Sequence, residues 1–509
     1  MTVRLGEALS LEEVVAVARG AEVELPTAAA GRMRAAREVI ERVVASGETV
    51  YGVTTGFGSL ADVRIDPGEA AELQRAIVLS HATAVGRALS REEARAMLAL
   101  RAHVLALGHS GVRVELVERM VEMLNRDLIP AVPEQGSLGA SGDLAPLAHL
   151  ALTLLGRGDL LEPDGRAVPA AGVLAAAGLD PIVLEAKEGL ALVNGTQGML
   201  AVGILAADRA ANLVRAADVA AAMTIEAALG TDRPFDERLH RLRPHHGQSV
   251  SASNLRRLMA ESAVVASHRE SAHLVQDAYS FRCAPQVHGA TRDALAFARA
   301  ALGVEIGAVS DNPVVLPETG EVLSGGNFHG QPLAVPLDAL ALALVSLASV
   351  CERRLFRLLD AGTSNGLPPF LVAESGRNSG LMLVQYTAAS LVSESKSLAH
   401  PASVDSIPSS AGQEDHVSMG MTSARHARDV VANTEVVVAL EALAAAQGLD
   451  LRTPLAPGTG SAAARAAIRE VVPHLEADRE LGPDIERVTG LVRSGRLVAA
   501  AEGAVGPLD

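Results

Sequence analysis

Apolar positions along this chain fall into two regimes. Over roughly the first 200 residues they come in short periodic runs broken by turn residues. Ser10 with Glu13, and Ser90 with Glu93, stand three apart ahead of apolar runs such as "ARAMLALRAHVLAL". That is the spacing of a capping box, and it predicts helices starting after Ser10 and after Ser90. Between them "TVYGVTTGFGSL" is β-branched and then glycine-rich, which predicts a short strand running into a loop. "LLEPDGRAV" (160–168) predicts a hairpin turning on Pro-Asp-Gly, and "VVLPETGEVL" (314–323) a second one.

Beyond roughly residue 200 the runs lengthen. "MLAVGILAADRAANLVRAADVAAAMTIEAAL", "LDALALALVSLASVCERRLFRLLD" and "ARDVVANTEVVVALEALAAAQGL" are rich in alanine and leucine and punctuated late. Helices apolar over most of their circumference are buried on several sides. The expectation is a mainly α protein in two parts. Residues 1–200 form a mixed α+β N-terminal domain, and residues 201–509 a bundle of long helices with a helical C-terminal region. A loop is expected near 453–461.

Composition sharpens this picture. Apolar residues make up 49% of the 509, enough for a large core. Aromatics are only 2%, with no Trp, 7 Phe and 3 Tyr, so alanine, leucine and valine must fill that core. Lys+Arg 44 against Asp+Glu 60 leaves a net charge of −16, which argues against nucleic acid as a partner. Two cysteines, Cys283 and Cys351, are too few for a zinc finger or a disulfide framework and fit a reducing cytoplasm. The N-terminal stretch lacks the pattern of a signal peptide. The uncharged run Ala339 to Cys351 is about 13 residues, too short to span a bilayer, so no membrane partner is expected.

Several short patterns are decoys. Gly139-Ala140-Ser141-Gly142 misses the nucleophile elbow, because Asp143 stands where its second glycine belongs. "GFGSLA" lacks the third glycine of a dinucleotide fingerprint. Ser393 to Lys396 matches S-x-x-K but reads as a solvated helix face. Asn194-Gly195-Thr196 spells a glycosylation sequon that matters only in a secreted chain. His240, His245 and His246 lack a completing carboxylate, so no metal site is expected. His149 and His416 read as structural hydrogen-bonders beside the candidate site, and Cys283 as a small buried thiol.

What remains is a set of loops dense in acid, base and amide groups: "YGVTTGFG" with Tyr51, "LVNGTQG" with Asn194, "QDAYSFRCAPQ" with Gln276, Tyr279 and Arg282, "SDNPVV", "SGGNFHGQP" with Phe328, and "SVDSIPSSAGQEDHVSMG" with Glu414. Loops on a rigid scaffold are where binding and catalysis concentrate. Ala140-Ser141-Gly142 adds one further chemistry. Glycine reaches backbone conformations closed to other residues. In a sharp bend the Gly142 nitrogen can attack the Ala140 carbonyl carbon. Loss of that water and of a second one from Ser141 leaves a five-membered ring with an exocyclic methylidene. An ordinary turn is equally compatible with these letters.

"GSLGASGDLAPLAHL" (136–150) resembles the signature of the aromatic amino acid ammonia-lyases and aminomutases. "YGVTTGFG", "LVNGTQ", "QDAYSFRCAPQV", "SDNP", "GGNFHGQP" and "QEDHVSMG" are similar to the family's other motifs, in the family's order, over about residues 5 to 495. The resemblance implies an aspartase/fumarase-like helical bundle, assembled as a cytoplasmic homotetramer whose sites combine residues of several subunits. It implies a 4-methylidene-imidazol-5-one (MIO) electrophile made from Ala140, Ser141 and Gly142, with no added organic cofactor.

The same resemblance implies roles for the loop residues. Tyr51 is the general base, a part that a phenol plays near neutral pH only where positive surroundings favour its phenolate. Arg282 grips the substrate carboxylate with its planar fork. Asn194 and Gln276 hydrogen-bond the prosthetic group or the substrate, Tyr279 assists on the ring-bearing side, and Phe328 packs on the cofactor pocket. His81 and Glu414, with Met382 lining the same pocket, match the family's histidine-using branch. A carboxylate facing an apolar or phenolic ring would be left poorly paired, whereas an imidazole offers N–H donors. The implied reaction is elimination of ammonia from L-histidine to trans-urocanate, the first step of histidine degradation. The alternatives are a tyrosine- or phenylalanine-using lyase or an aminomutase. A serine hydrolase would need a histidine and a carboxylate converging on Ser141. A non-catalytic scaffold would show damage at Tyr51, Ser141, Asn194 or Arg282, and all four are intact.

Overall fold

The computed structural model describes residues 2–58, 63–65, 67–271 and 275–509, so residues 59–61 of "GFGSLA" lie outside the described part. The chain divides into two compact units. The first comprises Met1–Leu205, Arg299–Asp338 and Pro401–Arg425, and the second Ala206–Ala298, Ala339–His400 and His426–Asp509. The first unit is thus discontinuous, taking in two later segments that a boundary placed near residue 200 leaves out.

All strands among the described residues belong to the first unit, and each is only two to four residues long. Thr2–Arg4 pairs in parallel with Glu22–Glu24, and Val85–Ala88 runs antiparallel to Pro133–Gln135. Ile129–Pro130, Asp159–Leu161 and Ala167–Pro169 make a three-stranded antiparallel sheet. Val314–Leu316 and Glu321–Leu323 form the last pair. Strands this short tie loops together rather than build a layer. Both expected hairpins are present, and so are both capping boxes. Glu13 N–H donates to Ser10 Oγ at 3.2 Å while the Glu13 carboxylate accepts from Ser10 N–H at 2.9 Å, and Ser90 with Glu93 repeats the exchange. One core of this unit forms where the helix Thr27–Ser46 packs Val39, Ile40 and Val43 with Val53 and Val315. Truncating the fully buried Ile40 to alanine costs about 2–5 kcal/mol.

The expected strand around Tyr51 does not form. Val50 N–H donates to Thr54 Oγ1 at 2.8 Å and Thr54 Oγ1 donates to the Glu48 carbonyl at 2.6 Å. Val53 and Thr54 N–H both return to the Val50 carbonyl. Local side-chain bonds of this kind take the backbone groups that a ladder would need, so β-propensity loses to turn chemistry.

The second unit carries only helices among the described residues. Its small core side chains, such as Ala216, Ala217, Ala220, Ala221 and Ala222, are fully buried, and small side chains let helix axes approach closely. One buried cluster of charges in this core is paired. Arg354 donates to both oxygens of Glu441, at 2.5 and 2.9 Å, and all of these groups are buried. Arg354 Nη1 also donates to His288 Nε2 at 3.2 Å. That leaves His288 Nδ1–H to donate to Asp218 at 2.7 Å. Removing one partner of such a buried pair costs about 3–5 kcal/mol.

The long helices Gln197–Ala227, Gln331–Leu359 and Gly420–Asp450 stand where the apolar runs placed them. Gln331–Leu359, of 29 residues, is by length and composition apolar enough to cross a membrane, contrary to the expectation from its uncharged run alone. The run is short only because charges flank it, and those charges have protein partners. Asp338 accepts from Ser403 N–H at 2.8 Å, and Glu352 accepts from Gln385 Nε2 at 2.6 Å. Of its most apolar window, 56% is buried inside the protein, as befits a core helix of a bundle.

Candidate active site

The tripeptide Ala140-Ser141-Gly142 lies in a turn that ends where the helix Leu144–Leu154 begins. Gly142 has φ +75°, and a Cβ placed on it would stand 2.0 Å from the Gly195 carbonyl oxygen. Asp143 N–H donates to that same oxygen at 2.7 Å, so the two segments abut backbone to backbone. Among the described residues nothing accepts a hydrogen bond from the Gly142 nitrogen. On the near side, Ser418 Oγ donates to the Gly139 carbonyl at 3.1 Å, and Met419 N–H to the Leu138 carbonyl at 2.8 Å.

Asp143 anchors the turn from below. It is fully buried, with Oδ1 accepting from Ser137 Oγ at 2.8 Å and Oδ2 from Met199 N–H at 2.7 Å. Burial pushes its carboxyl up to about 6, against the pull of these donors.

Asn194 is held on both sides. Arg101, fully buried in the helix Arg91–Ala106, donates through Nη1 to the Asn194 carbonyl at 2.8 Å and to Gln197 Oε1 at 2.6 Å. Burial brings this guanidinium down to about 10. The Asn194 side-chain Nδ2 donates to Asp311 Oδ1 at 3.3 Å and to the Asn312 carbonyl at 3.1 Å. Asp311 Oδ2 in turn takes the Lys187 ammonium at 2.7 Å, with both side chains fully buried. With its amide N–H groups committed, Asn194 has Oδ1 left as a free acceptor.

A cavity of about 800 Å³ opens over this floor, lined by residues of the first unit. Tyr51, His81, Ala140, Ser141, Asn194, Phe328 and Glu414 all line it. Gly142 contributes to a smaller cleft beside it. The Tyr51 hydroxyl accepts from Gly58 N–H at 3.1 Å, and its ring meets Phe57 edge-on with centroids 6.4 Å apart. Glu414 Oε1 accepts from Ser141 Oγ at 3.2 Å, and Oε2 from Ser409 Oγ at 2.5 Å. Burial lowers the His81 imidazole below its ordinary value, while an Ile77 backbone hydrogen bond and the Glu414 charge pull the other way. Two helices, Leu144–Leu154 and Gln197–Ala227, begin just after the tripeptide and just after Asn194, so each sets a positive helix end beside a cavity residue.

The remaining expected site residues do not line this cavity. Gln276, Tyr279, Arg282 and Met382 belong to the second unit. Tyr279 is 71% exposed, with the Arg282 guanidinium 4.6 Å from its ring centroid. Met382 opens the helix Met382–Leu398.

Sequence reasoning passed over several groups that build the site. Arg101 sits in an apolar helical run as if an ordinary helix arginine, and Lys187 and Asp311 carry no local signal of pairing. Ser409 was one serine among several. His416, expected beside the site, lines the cavity and stacks on His329 with centroids 5.9 Å apart. The single histidines of "NFHG" and "EDHV" are the available clue.

Residues 9–470 match the family model described as aromatic amino acid lyase. The histidine ammonia-lyase of Myxococcus xanthus (strain DK1622) is 53% identical over 500 residues, covering 98% of each chain. Among solved structures, the histidine ammonia-lyase of Trypanosoma cruzi superposes with a TM-score of 0.92 at 44% identity, covering 99% of this chain and 96% of that one. The tyrosine aminomutase of Streptomyces globisporus reaches 0.94 at 39% identity over the whole of both chains. An aminomutase and a lyase thus share this fold equally well, and the fold alone does not choose between their reactions. A match spanning nine-tenths of the sequence, together with full-length relatives at this identity, makes the chain a member of the aromatic amino acid lyase family.

Proposed function

We propose that this protein eliminates ammonia from L-histidine to give trans-urocanate, using an MIO group formed from Ala140, Ser141 and Gly142. The observation that carries the substrate is Glu414, a carboxylate in the same cavity as Ser141, Tyr51 and His81. Imidazole N–H groups satisfy such a carboxylate, and a phenyl or phenol ring does not. The 53% identity to histidine ammonia-lyases favours the same substrate.

The tripeptide fits the prosthetic group. The positive φ of Gly142, the absence of room for a side chain there, and a glycine nitrogen free of hydrogen-bond acceptors are what backbone cyclisation requires. A methylidene-imidazolone supplies an electrophilic carbon that makes an amino group a better leaving group. Tyr51 is assigned the β-proton. Its hydroxyl oxygen accepts from Gly58 N–H, and its side chain lines the same cavity as Ser141. Asn194 offers Oδ1 to an N–H of the substrate. Glu414 and His81 receive the imidazole, and Phe328 shields the cavity from water. Gln276, Tyr279, Arg282 and Met382 are assigned to the site by way of other subunits of a cytoplasmic homotetramer, with Arg282 taking the substrate carboxylate.

Mixing the protein with L-histidine should raise the near-ultraviolet absorbance of urocanate. No rise with histidine but a rise with tyrosine would overturn the substrate, and a β-amino acid product would make the protein an aminomutase.

A further inference from the structure

Glu414 does not meet the cavity as a free carboxylate. Its neighbour across a closed turn is Ser409, and the two are joined three times. Ser409 N–H donates to the Glu414 carbonyl at 2.9 Å, Glu414 N–H donates to the Ser409 carbonyl at 3.3 Å, and Ser409 Oγ donates to Glu414 Oε2 at 2.5 Å. The last distance is that of a charge-assisted O–H···O⁻ bond. The turn between them is tight enough to hold Ser410 and Ala411 at φ +49° and +53°, in the left-handed region that side chains disfavour. Gly412 follows at φ +88°. Such strain persists where the surrounding contacts overdetermine the backbone, and here the serine–glutamate pairing closes the turn.

This arrangement divides the two carboxylate oxygens. Oε2 faces Ser409 Oγ at 2.5 Å, and Oε1 faces Ser141 Oγ at 3.2 Å. That serine hydroxyl is the one lost as water when the imidazolone forms, so Oε1 is the oxygen that cyclisation releases. We propose that Ser409 is a positioning residue for substrate recognition, pinning Glu414 so that Oε1 alone is presented to an N–H of the substrate imidazole. This rests on the histidine reading above and adds the residue that makes its specificity carboxylate directional.

The test is kinetic, on the full-length protein and on Ser409→Ala and Ser409→Thr, each with Glu414 and with Glu414→Gln. Mass measurement of the peptide holding residues 136–150 accompanies each variant. Ser409→Ala should keep the mass decrease of two waters and raise KM for L-histidine about tenfold, the effect of losing a hydrogen bond to a charged group. Ser409→Thr, which keeps the hydroxyl, should stay within about threefold of the parent. In the Glu414→Gln background the alanine substitution should cost less than about twofold, because the hydrogen bond it removes there is neutral and no longer orients a carboxylate. An unchanged KM in Ser409→Ala would overturn the proposal. So would an equal loss in both backgrounds, or a peptide that no longer loses both waters. If the parent protein itself leaves L-histidine untouched, the histidine reading falls instead.

Discussion

Ser141 and Glu414 stand 273 positions apart in the chain, yet the serine Oγ donates to Glu414 Oε1 across 3.2 Å. The residue expected to become the electrophile and the residue expected to choose the substrate are therefore direct neighbours. Replacing Glu414 by glutamine keeps the shape and removes the charge. Turnover of L-histidine should fall about 10- to 100-fold, the worth of a hydrogen bond to a charged group, while the 136–150 peptide still loses two waters. Unchanged histidine kinetics would deny Glu414 a part in recognition.

Ser141→Ala removes the hydroxyl whose loss completes the ring. Activity on L-histidine should disappear, with secondary structure by circular dichroism unchanged because among the described residues the Ser141 hydroxyl donates only to Glu414. Full turnover by this variant would exclude the imidazolone mechanism.

Tyr51→Phe keeps the edge-on contact with Phe57 and removes only the hydroxyl that accepts from Gly58. General-base catalysis contributes about 10²–10⁴-fold, so kcat should drop by that factor with little change in KM. A fall in KM-limited binding alone would make Tyr51 a packing residue.

Gly142→Ala asks for a Cβ 2.0 Å from the Gly195 carbonyl oxygen. That oxygen belongs to backbone and accepts from Asp143 N–H, so it has little freedom to retreat. The variant should lose the two-water mass change and melt at a lower temperature than the parent. A normal melt with intact ring formation would show that the close approach can relax.

Asp143 carries a pH dependence with a definite sign. Its folded carboxyl is raised from 3.8 to about 6 by burial, so the native state holds its proton longer than the unfolded chain does. The contribution to stability is fully present below about pH 4 and is lost as pH rises through about 6, amounting to about 3 kcal/mol. Asp143→Asn lacks this term. The stability of wild type minus that of the variant should fall between about pH 4 and 7 in parallel melts, and a flat or rising difference would contradict the assignment.

Much of this architecture was legible because its signals are local. The capping residues Ser10 and Ser90 act within a turn of themselves, and Pro-Asp-Gly bends its own hairpin whatever lies around it. The strand expected near Tyr51 failed for a reason equally local, since the Thr54 hydroxyl captures backbone groups that β-branched composition reserves for a ladder. The cavity residues Tyr51, Asn194 and Glu414 stood out as functional groups on loops. What holds them did not, because it acts at a distance. Arg101 meets Asn194 across 93 positions and Lys187 meets Asp311 across 124, and neither spacing leaves a periodic trace. Gln276, Tyr279, Arg282 and Met382 were legible as motif residues, but the second unit holds them and they do not line the cavity.

The approach of Gly142 to Gly195 bears on any attempt to move this chemistry into another protein. Each glycine's missing side chain is a space that another group fills. The Gly195 carbonyl fills that of Gly142, and Gln197 Oε1 and Arg101 Nη1 lie within 2.5 Å of where a Cβ on Gly195 would sit. A graft carrying only residues 136–143 would present the turn to a surface that does not complete it. A portable unit needs at least the second loop, the buried arginine that seats it and the Ser418–Met419 segment that closes the near side, and a design that copies fewer pieces would carry the letters of the turn without its shape.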